Sequence, residues 1–339
     1  MALTDIWFLL IAVLWTGYFV LEGFDFGVGT LLRVLGRDDT DRRVLINTIG
    51  PVWDGNEVWL LVAGGATFAA FPLWYSSLFS GFYLALLLVL VALILRGVAF
   101  EFRGKLDSPR WRTTWDWIIV FGSATPALLW GVAFGNIVHG VPLDAGHHFT
   151  GTFFTLLNPY ALLGGLATLS LFTFHGAVFL TLKTTGELRY RARTLGRALG
   201  GTAIVFGGVF LAYTAIEHGG WAWLSAAVAA ALLVAAVLFA TGERDGYAFG
   251  CTAAAIIAVT FTLFWSLYPH VLPSTTDPAF SLTTTNAAST PYTLQIMTWV
   301  AVAFTPIVLA YQAWTYWVFR KRISRASIPA GGGLPVAGR

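Results

Sequence analysis

Charge is what this chain of 339 residues has least of. Asp, Glu, Lys and Arg together make up 11% of it, less than half of the roughly 25% usual in a soluble domain. Cysteine occurs once, as Cys251, so an internal disulfide and a cysteine-built metal site are both excluded. Methionine occurs only as Met1 and Met297. Histidine is scarce where a buried iron would need it. His139, His147, His148, His218 and His270 fall in loops or at helix ends, and only His175 lies well within an apolar run. A haem in a helical bundle needs His, Met, Cys or Tyr ligands at depth. The chain is therefore not expected to hold a bis-histidine haem by itself, and His175 reads as a hydrogen-bonded interior residue. The pI near 9.1 reflects loop arginines, and no basic patch points to nucleic acid.

Apolar residues fill the space that charge leaves. The chain is 57% hydrophobic with a mean hydropathy of +0.73. Runs of about 20 apolar residues, the length that crosses a bilayer, recur from end to end. The fold class expected is all-α and polytopic, with about nine transmembrane helices near 6–32, 51–71, 76–102, 115–137, 158–182, 199–216, 221–241, 247–268 and 292–319. The first run is too long for a signal peptide and lacks a basic leader, so it reads as a retained helix. A four-plus-four-plus-one grouping suits the count: two four-helix bundles and one peripheral helix. Residues 1–326 form a single integral membrane domain in this reading. The Pro- and Gly-rich tail over 327–339 is expected to be disordered. Pro126 and Pro306 fall inside spans and are expected to kink them.

The basic residues alternate with the spans. Arg33, Arg37, Arg42 and Arg43 follow the first, Arg103, Lys105, Arg110 and Arg112 the third, and Lys183 to Arg197 the fifth. Arg244 follows the seventh span, and Arg320, Lys321, Arg322 and Arg325 the ninth, while the opposite loops contain no Lys or Arg. By the positive-inside rule the N-terminus lies outside and the C-terminus in the cytoplasm.

Against this background a few acids stand out. Glu22 and Asp25 lie in the first span, Asp54 and Glu57 at the start of the second, and Arg96 near the end of the third. An ionised group at bilayer depth costs several kcal/mol (roughly 2.5 or more), so such groups face a protein interior or a water path and are functional candidates. Counting about 1.5 Å per residue puts all five in the cytoplasmic half. The i,i+3 spacing of Glu22 with Asp25, and of Asp54 with Glu57, puts each pair on one helix face. Carboxylates clustered with one arginine can hold water and pass protons. The plainer reading is that Arg96 pairs with an acid and the others set helix register. Glu101 and Asp116, near helix ends, read as interfacial.

Several motifs resemble subunit II of cytochrome bd quinol oxidase. They are Gly23-Phe24-Asp25-Phe26-Gly27, Gly50-Pro51-Val52-Trp53-Asp54-Gly55-Asn56-Glu57-Val58-Trp59-Leu60 and Arg96-Gly97-Val98-Ala99-Phe100-Glu101-Phe102-Arg103. Leu156-Leu157-Asn158-Pro159-Tyr160, Leu162 to Leu166, and Gly176-Ala177 with Leu182-Lys183-Thr184 extend the likeness over all nine spans. The resemblance implies a bacterial cytoplasmic-membrane protein paired with a haem-bearing subunit I. That partner would carry two b-type haems, haem d and the quinol-oxidation loop. The complex would oxidise quinol, reduce O₂ to water and draw its protons from the cytoplasm. The present chain would be one subunit of that oxidoreductase, without catalytic residues, metal ligands or a covalently held cofactor of its own.

The resemblance further assigns Asp25 and Asp54, with Glu57 and Glu22 beside them, to a proton route, with Arg96 as electrostatic partner. Glu57 stands where some members carry Gln. Trp53 and Trp59 match aromatic positions at the subunit interface or O₂ passage. A structural quinone, menaquinone or ubiquinone, is held in some members, and small accessory transmembrane subunits and lipid are further partners implied. Two other functions fit the bare pattern of buried acids: a proton-coupled secondary transporter and a purely structural partner subunit.

Overall fold

The computed structural model describes residues 2–329. Eleven helices follow one another: α1 (Leu3–Leu35), α2 (Asp39–Ile49), α3 (Trp53–Ala70), α4 (Pro72–Gly81), α5 (Tyr83–Phe102), α6 (Pro109–His139), α7 (Pro159–Lys183), α8 (Gly186–His218), α9 (Trp221–Thr241), α10 (Asp245–Leu267) and α11 (Pro291–Val318). Three of them start on the same local signal. Ser108, Asn158 and Thr290 each accept a backbone N–H of the first turn, and Pro109, Pro159 and Pro291 follow directly. The capping oxygen satisfies one orphan donor, and proline at the first helical position has none to lose.

Eight helices are long and apolar enough to cross a membrane: α1, α5, α6, α7, α8, α9, α10 and α11. The ninth expected span forms as α3, an 18-residue helix that is not among these eight. Its first turn carries Asp54, Asn56 and Glu57, which lower its apolar content. A separate short helix, α4, continues the chain at its far end. Two helices extend well beyond the apolar runs. α6 begins at Pro109, where the Ser108 cap and the proline set its start, and α8 at Gly186, where Glu187, Leu188, Arg189, Arg191 and Ala192 are good helix formers. The helices α6 and α11 run unbroken through Pro126 and Pro306.

The spans group as four, four and one. Helices α7, α8, α9 and α10 close a ring, each packed on the next and α10 back on α7. In the other set α1 packs on α3 and α6, and α6 on α5, with α4 between the ends of α3 and α5. Contacts of α7 with α1 and α6 join the two sets. The α1–α7 crossing is very close: a Cβ at Gly27 would lie 2.1 Å from the Phe172 carbonyl oxygen, and one at Gly176 would lie 2.5 Å from Gly27 C. Only glycine permits that approach, as at small-residue crossings in membranes generally.

Helix α11 stands apart, with Leu294 its only buried residue. Polar pins hold it instead. Trp7 Nε1 donates to the Leu294 carbonyl at 3.2 Å and to Thr298 Oγ1 at 3.1 Å. Beyond its end the chain straps across the arginine-rich end of the molecule. Lys183 Nζ donates to the Phe319 carbonyl, Ile323 N–H donates to the Lys183 carbonyl at 2.7 Å, and Arg325 reaches Asp38 and Asp41. Arg325–Ser327 form a short 3-10 turn. The remainder of the tail expected to be disordered, 330–339, lies outside the described residues.

At the opposite end residues 269–291, rich in Ser, Thr and Pro, carry a small hairpin, β1 (His270–Leu272) with β2 (Leu282–Thr283). The loop after α6 docks on it through His147 Nδ1, 2.8 Å from the Phe280 carbonyl.

Candidate functional site

The acids of α1 are fully buried. Glu22 and Asp25 are each 0% exposed, as is Arg96 on α5. Arg96 Nη1 and Glu22 Oε1 form an ion pair between the two helices. The guanidinium also lies over the rings of Phe26, at 4.8 Å, and Phe100, at 5.5 Å. It occupies this place because Gly122 on α6 leaves room: a Cβ there would meet Arg96 Cβ at 2.6 Å. Arg96 is thus in contact with Glu22, and Phe100, four residues on, shares its helix face.

Asp25 is held differently. Its Oδ2 accepts from Asn56 Nδ2 at 2.7 Å. Asn56, itself 0% exposed, also donates to the Leu21 carbonyl at 3.3 Å. Its Oδ1 accepts from Tyr316 OH at 2.7 Å and from Gln312 Nε2 at 3.2 Å, both on α11. Gln312 Oε1 in turn accepts from Trp59 Nε1 at 2.8 Å. Three helices, α1, α3 and α11, therefore meet in one polar network around Asp25. Outside that network no donor reaches Asp25 Oδ1 among the described residues, and Arg96 Nε and Nη2 have no acceptor apart from the ion pair; the Glu22 carboxyl lies within hydrogen-bonding reach of the Asp25 carboxyl. Such spare capacity at depth suits bound water.

The other predicted residues lie towards the surface of this chain. Glu57 is half-buried and Asp54 is exposed. Asp54 shares the exposed face of α3 with Val58, Leu61 and Val62. A carboxylate beside such an apolar face marks the edge of a covered surface or of the headgroup layer. Trp53 is half-buried and packs on Phe100 with centroids 5.1 Å apart. Trp59 turns inward over Gly17, where a Cβ would lie 2.1 Å from its ring. The structure thus brings Glu22, Asp25 and Arg96 into the interior, leaves Glu57, Trp53 and Trp59 half-buried, and places Asp54 at the edge.

Sequence reasoning missed Asn56, Gln312 and Tyr316. Asn56 stands in plain view between Asp54 and Glu57, and Gln312 is an amide within an apolar span, seventeen residues beyond Gln295 near its start. An amide at membrane depth was the available signal, since its polar atoms must find partners there.

Towards the arginine-rich end the acids serve as ties. Asp116 is 0% exposed and takes Arg103 Nε at 2.6 Å, Arg42 Nε at 2.9 Å and Arg33 Nη1 at 3.6 Å. Asp245 takes Arg189 at 2.6 Å and Arg193 at 3.0 Å. Asp116 read as interfacial from its position, and it is a fully buried junction of three helices. Glu101 is exposed.

His175 is interior and fully engaged. Its Nε2 lies 3.1 Å from the Val20 carbonyl and its Nδ1 2.7 Å from Thr252 Oγ1. The carbonyl can only accept, so Nε2 carries a proton, and the Thr252 hydroxyl that meets Nδ1 also lies 2.9 Å from the Phe249 carbonyl. Phe249 stacks on the ring at 4.7 Å.

A cavity of about 490 Å³ opens between α3, α4, α5 and α6, where the first helix set does not close. Trp15, Trp74, Tyr75, Leu93, Trp130 and Phe134 are among its lining. Trp74 is buried, and its Nε1 has no acceptor among the described residues.

The arrangement matches known proteins closely. The family model described as cytochrome bd terminal oxidase subunit II covers residues 3–319. Cytochrome bd ubiquinol oxidase subunit 2 of Bacillus subtilis (strain 168) is 43% identical over 330 residues, 95% of this chain and 97% of that protein. Cytochrome bd-I ubiquinol oxidase subunit 2 of Escherichia coli (strain K12) is 39% identical over 362 aligned positions, 95% of this chain and 96% of that protein. A chain of the solved bd oxidase from Geobacillus thermodenitrificans superposes with a TM-score of 0.74 at 18% identity, covering 94% of this chain and 99% of that one. The chain therefore belongs to the cytochrome bd terminal oxidase subunit II family, and it is a multi-pass protein of the bacterial inner membrane and one subunit of a quinol oxidase complex.

Proposed function

We propose that this chain supplies the proton-uptake route of the oxidase from the cytoplasmic side and scaffolds a haem-bearing subunit I. The observation that carries the reading is the gradation of its acids. Asp54 lies exposed at the end of α3, Glu57 is half-buried one turn on, and Asp25 and Glu22 are fully buried behind them. Asn56 stands between the two helices and bonds Asp25. An entry acid, an intermediate acid and a buried pair with unspent hydrogen-bonding capacity are what stepwise proton transfer through side chains and water requires. The Arg96 guanidinium stabilises negative charge left in the cluster when a proton moves on.

Two b-type haems and haem d, held by the partner, supply the redox chemistry of this reading. His175 does not compete for that role, because both of its ring nitrogens are engaged. The exposed face of α3, with Asp54, Trp53 and Val58, suits cover by subunit I. The arginine-rich end lies in the cytoplasm in this reading, and small accessory subunits and lipid cover other apolar faces. Apolar packing in this region would pass O₂. A structural quinone, menaquinone or ubiquinone, fits the cavity at Trp74: its walls are apolar and aromatic, and one buried N–H is free to bond a carbonyl.

Replacement of single acids in the two-subunit complex tests the route. Asp25→Asn and Asp54→Asn are expected to assemble with parental haem spectra while quinol-driven oxygen consumption falls about tenfold or more. Parental respiration in both variants sinks the route. Loss of haem content with unchanged activity per haem points instead to a purely structural subunit.

A further inference from the structure

Amide side chains carry a direction that their shape conceals. Their oxygen and nitrogen are nearly the same size, so only the partners decide which end points where. Around Asp25 the partners leave no choice. Trp59 Nε1 can only donate, so the atom of Gln312 that it reaches at 2.8 Å is Oε1. Gln312 must then present Nε2 to Asn56, whose Oδ1 lies 3.2 Å away. Tyr316 OH donates to the same oxygen at 2.7 Å. Asn56 must therefore present Nδ2 to the other side, where it meets the Leu21 carbonyl and Asp25 Oδ2, two acceptors. Every hydrogen-bonding position of the Asn56 amide is used, and every bond in the chain points the same way.

We propose that Trp59, Gln312 and Asn56 form a one-way chain of donors that positions Asp25, holding Oδ2 as an acceptor and leaving Oδ1 as the oxygen through which the carboxyl takes up and releases its proton. This rests on the reading of Asp25 as a proton-route group. Among the described residues no donor reaches the buried Oδ1, and Glu22, one turn back on α1, lies close enough to share a hydrogen bond with the Asp25 carboxyl, so Oδ1 is the oxygen left for proton exchange. A proton arriving at Oδ1 leaves from Oδ1, and the amide on Oδ2 neither gains nor loses one. Trp59, Gln312 and Asn56 are positioning residues, because they act through Asp25. The charged and titratable groups facing Asp25 are Glu22 on its own helix, Glu57 on α3, Arg96 on α5 and Tyr316 on α11. The chain also explains why the otherwise unburied α11 reaches into the site: it carries the two donors that fix Asn56.

The purified complex tests this with Gln312→Met, Tyr316→Phe, their combination and Asp25→Asn. Each single change leaves one donor on Asn56 Oδ1. The pH profile of oxygen consumption is expected to move by less than about half a unit in each. The double variant frees the amide to turn its oxygen towards Asp25, which then bonds only as the acid. Its profile is expected to move to higher pH by about one unit or more, and the move is expected to vanish when Asp25→Asn is added. A double variant with the parental profile, in a complex that Asp25→Asn slows, overturns the chain and leaves the proton route standing. Parental respiration in Asp25→Asn overturns both. Asn56→Ala gives a second measurement should the double variant not assemble, because it removes the donor on Asp25 Oδ2 directly. The infrared carboxyl band that Asp25→Asn removes is expected at higher frequency in Asn56→Ala, and an unmoved band overturns the proposal.

Discussion

Burying Glu22 and Arg96 removes two ions from water, and their attraction offsets that cost only while both are present. Each is 0% exposed, and they meet across α1 and α5. Removing one partner of such a pair leaves an uncompensated charge and costs about 3–5 kcal/mol, whereas removing both is often neutral. Arg96→Met is therefore expected to lower the thermal midpoint of the detergent-purified complex markedly. Arg96→Met combined with Glu22→Gln is expected to recover most of the loss. Equal midpoints for the single and double variants would show that the pair does not hold α1 to α5. Oxygen consumption of the same double variant reads the route separately from stability, since it also lacks an acid of that route.

Helices here are held by two kinds of contact. The α1–α7 crossing relies on backbone approach at Gly27 and Gly176, and the peripheral α11 relies on polar pins at its ends and on the strap that follows it. Arg325 in that strap bonds Asp38 at 2.7 Å and also reaches Asp41. The Arg325 guanidinium, and after it the Asp41 backbone N–H, hold the Asp38 carboxyl below the usual carboxylate range. A depressed folded value means that the tie contributes above the ordinary Asp value, about 3.9, and is lost as pH falls through the lower folded value. The strap is expected to stay closed to proteases at neutral and mildly acidic pH and to open only below about pH 4. Arg325→Ala is expected to open it at neutral pH. Limited proteolysis of the tail in the intact complex reads both effects, and equal cleavage rates for parent and variant at neutral pH would remove the strap as a latch.

At the scale of the molecule one helix set is closed and the other is not. The ring α7–α10 packs on itself, while α3 and α5 stand apart around a cavity of about 490 Å³. A quinone seated there predicts that the purified complex carries quinone extractable by organic solvent, and that Trp74→Phe lowers its amount per haem several-fold by removing the buried Trp74 N–H, which has no acceptor among the described residues. Undiminished quinone in Trp74→Phe would place it elsewhere. Much of this architecture is legible in the residues alone. Apolar run length set the spans and the alternation of arginines set two unlike ends, and the pairs Ser108-Pro109, Asn158-Pro159 and Thr290-Pro291 are a further local signal that the hydropathy bounds did not use. Those signals are local, so they survive without knowledge of neighbours. The amphipathic α2 and the polar first half of α8 escaped, because hydropathy alone does not mark a helix outside the bilayer. The site divides the same way. That Glu22, Asp25, Asp54, Glu57 and Arg96 are costly at depth follows from their chemistry and position in the chain. That Arg96 pairs with Glu22, that Asn56 bonds Asp25, and that Gln312, 256 residues beyond Asn56, completes the network was decided by the tertiary structure. Partner choice depends on how helices rotate and how closely glycines let them approach, and no local pattern carries that information.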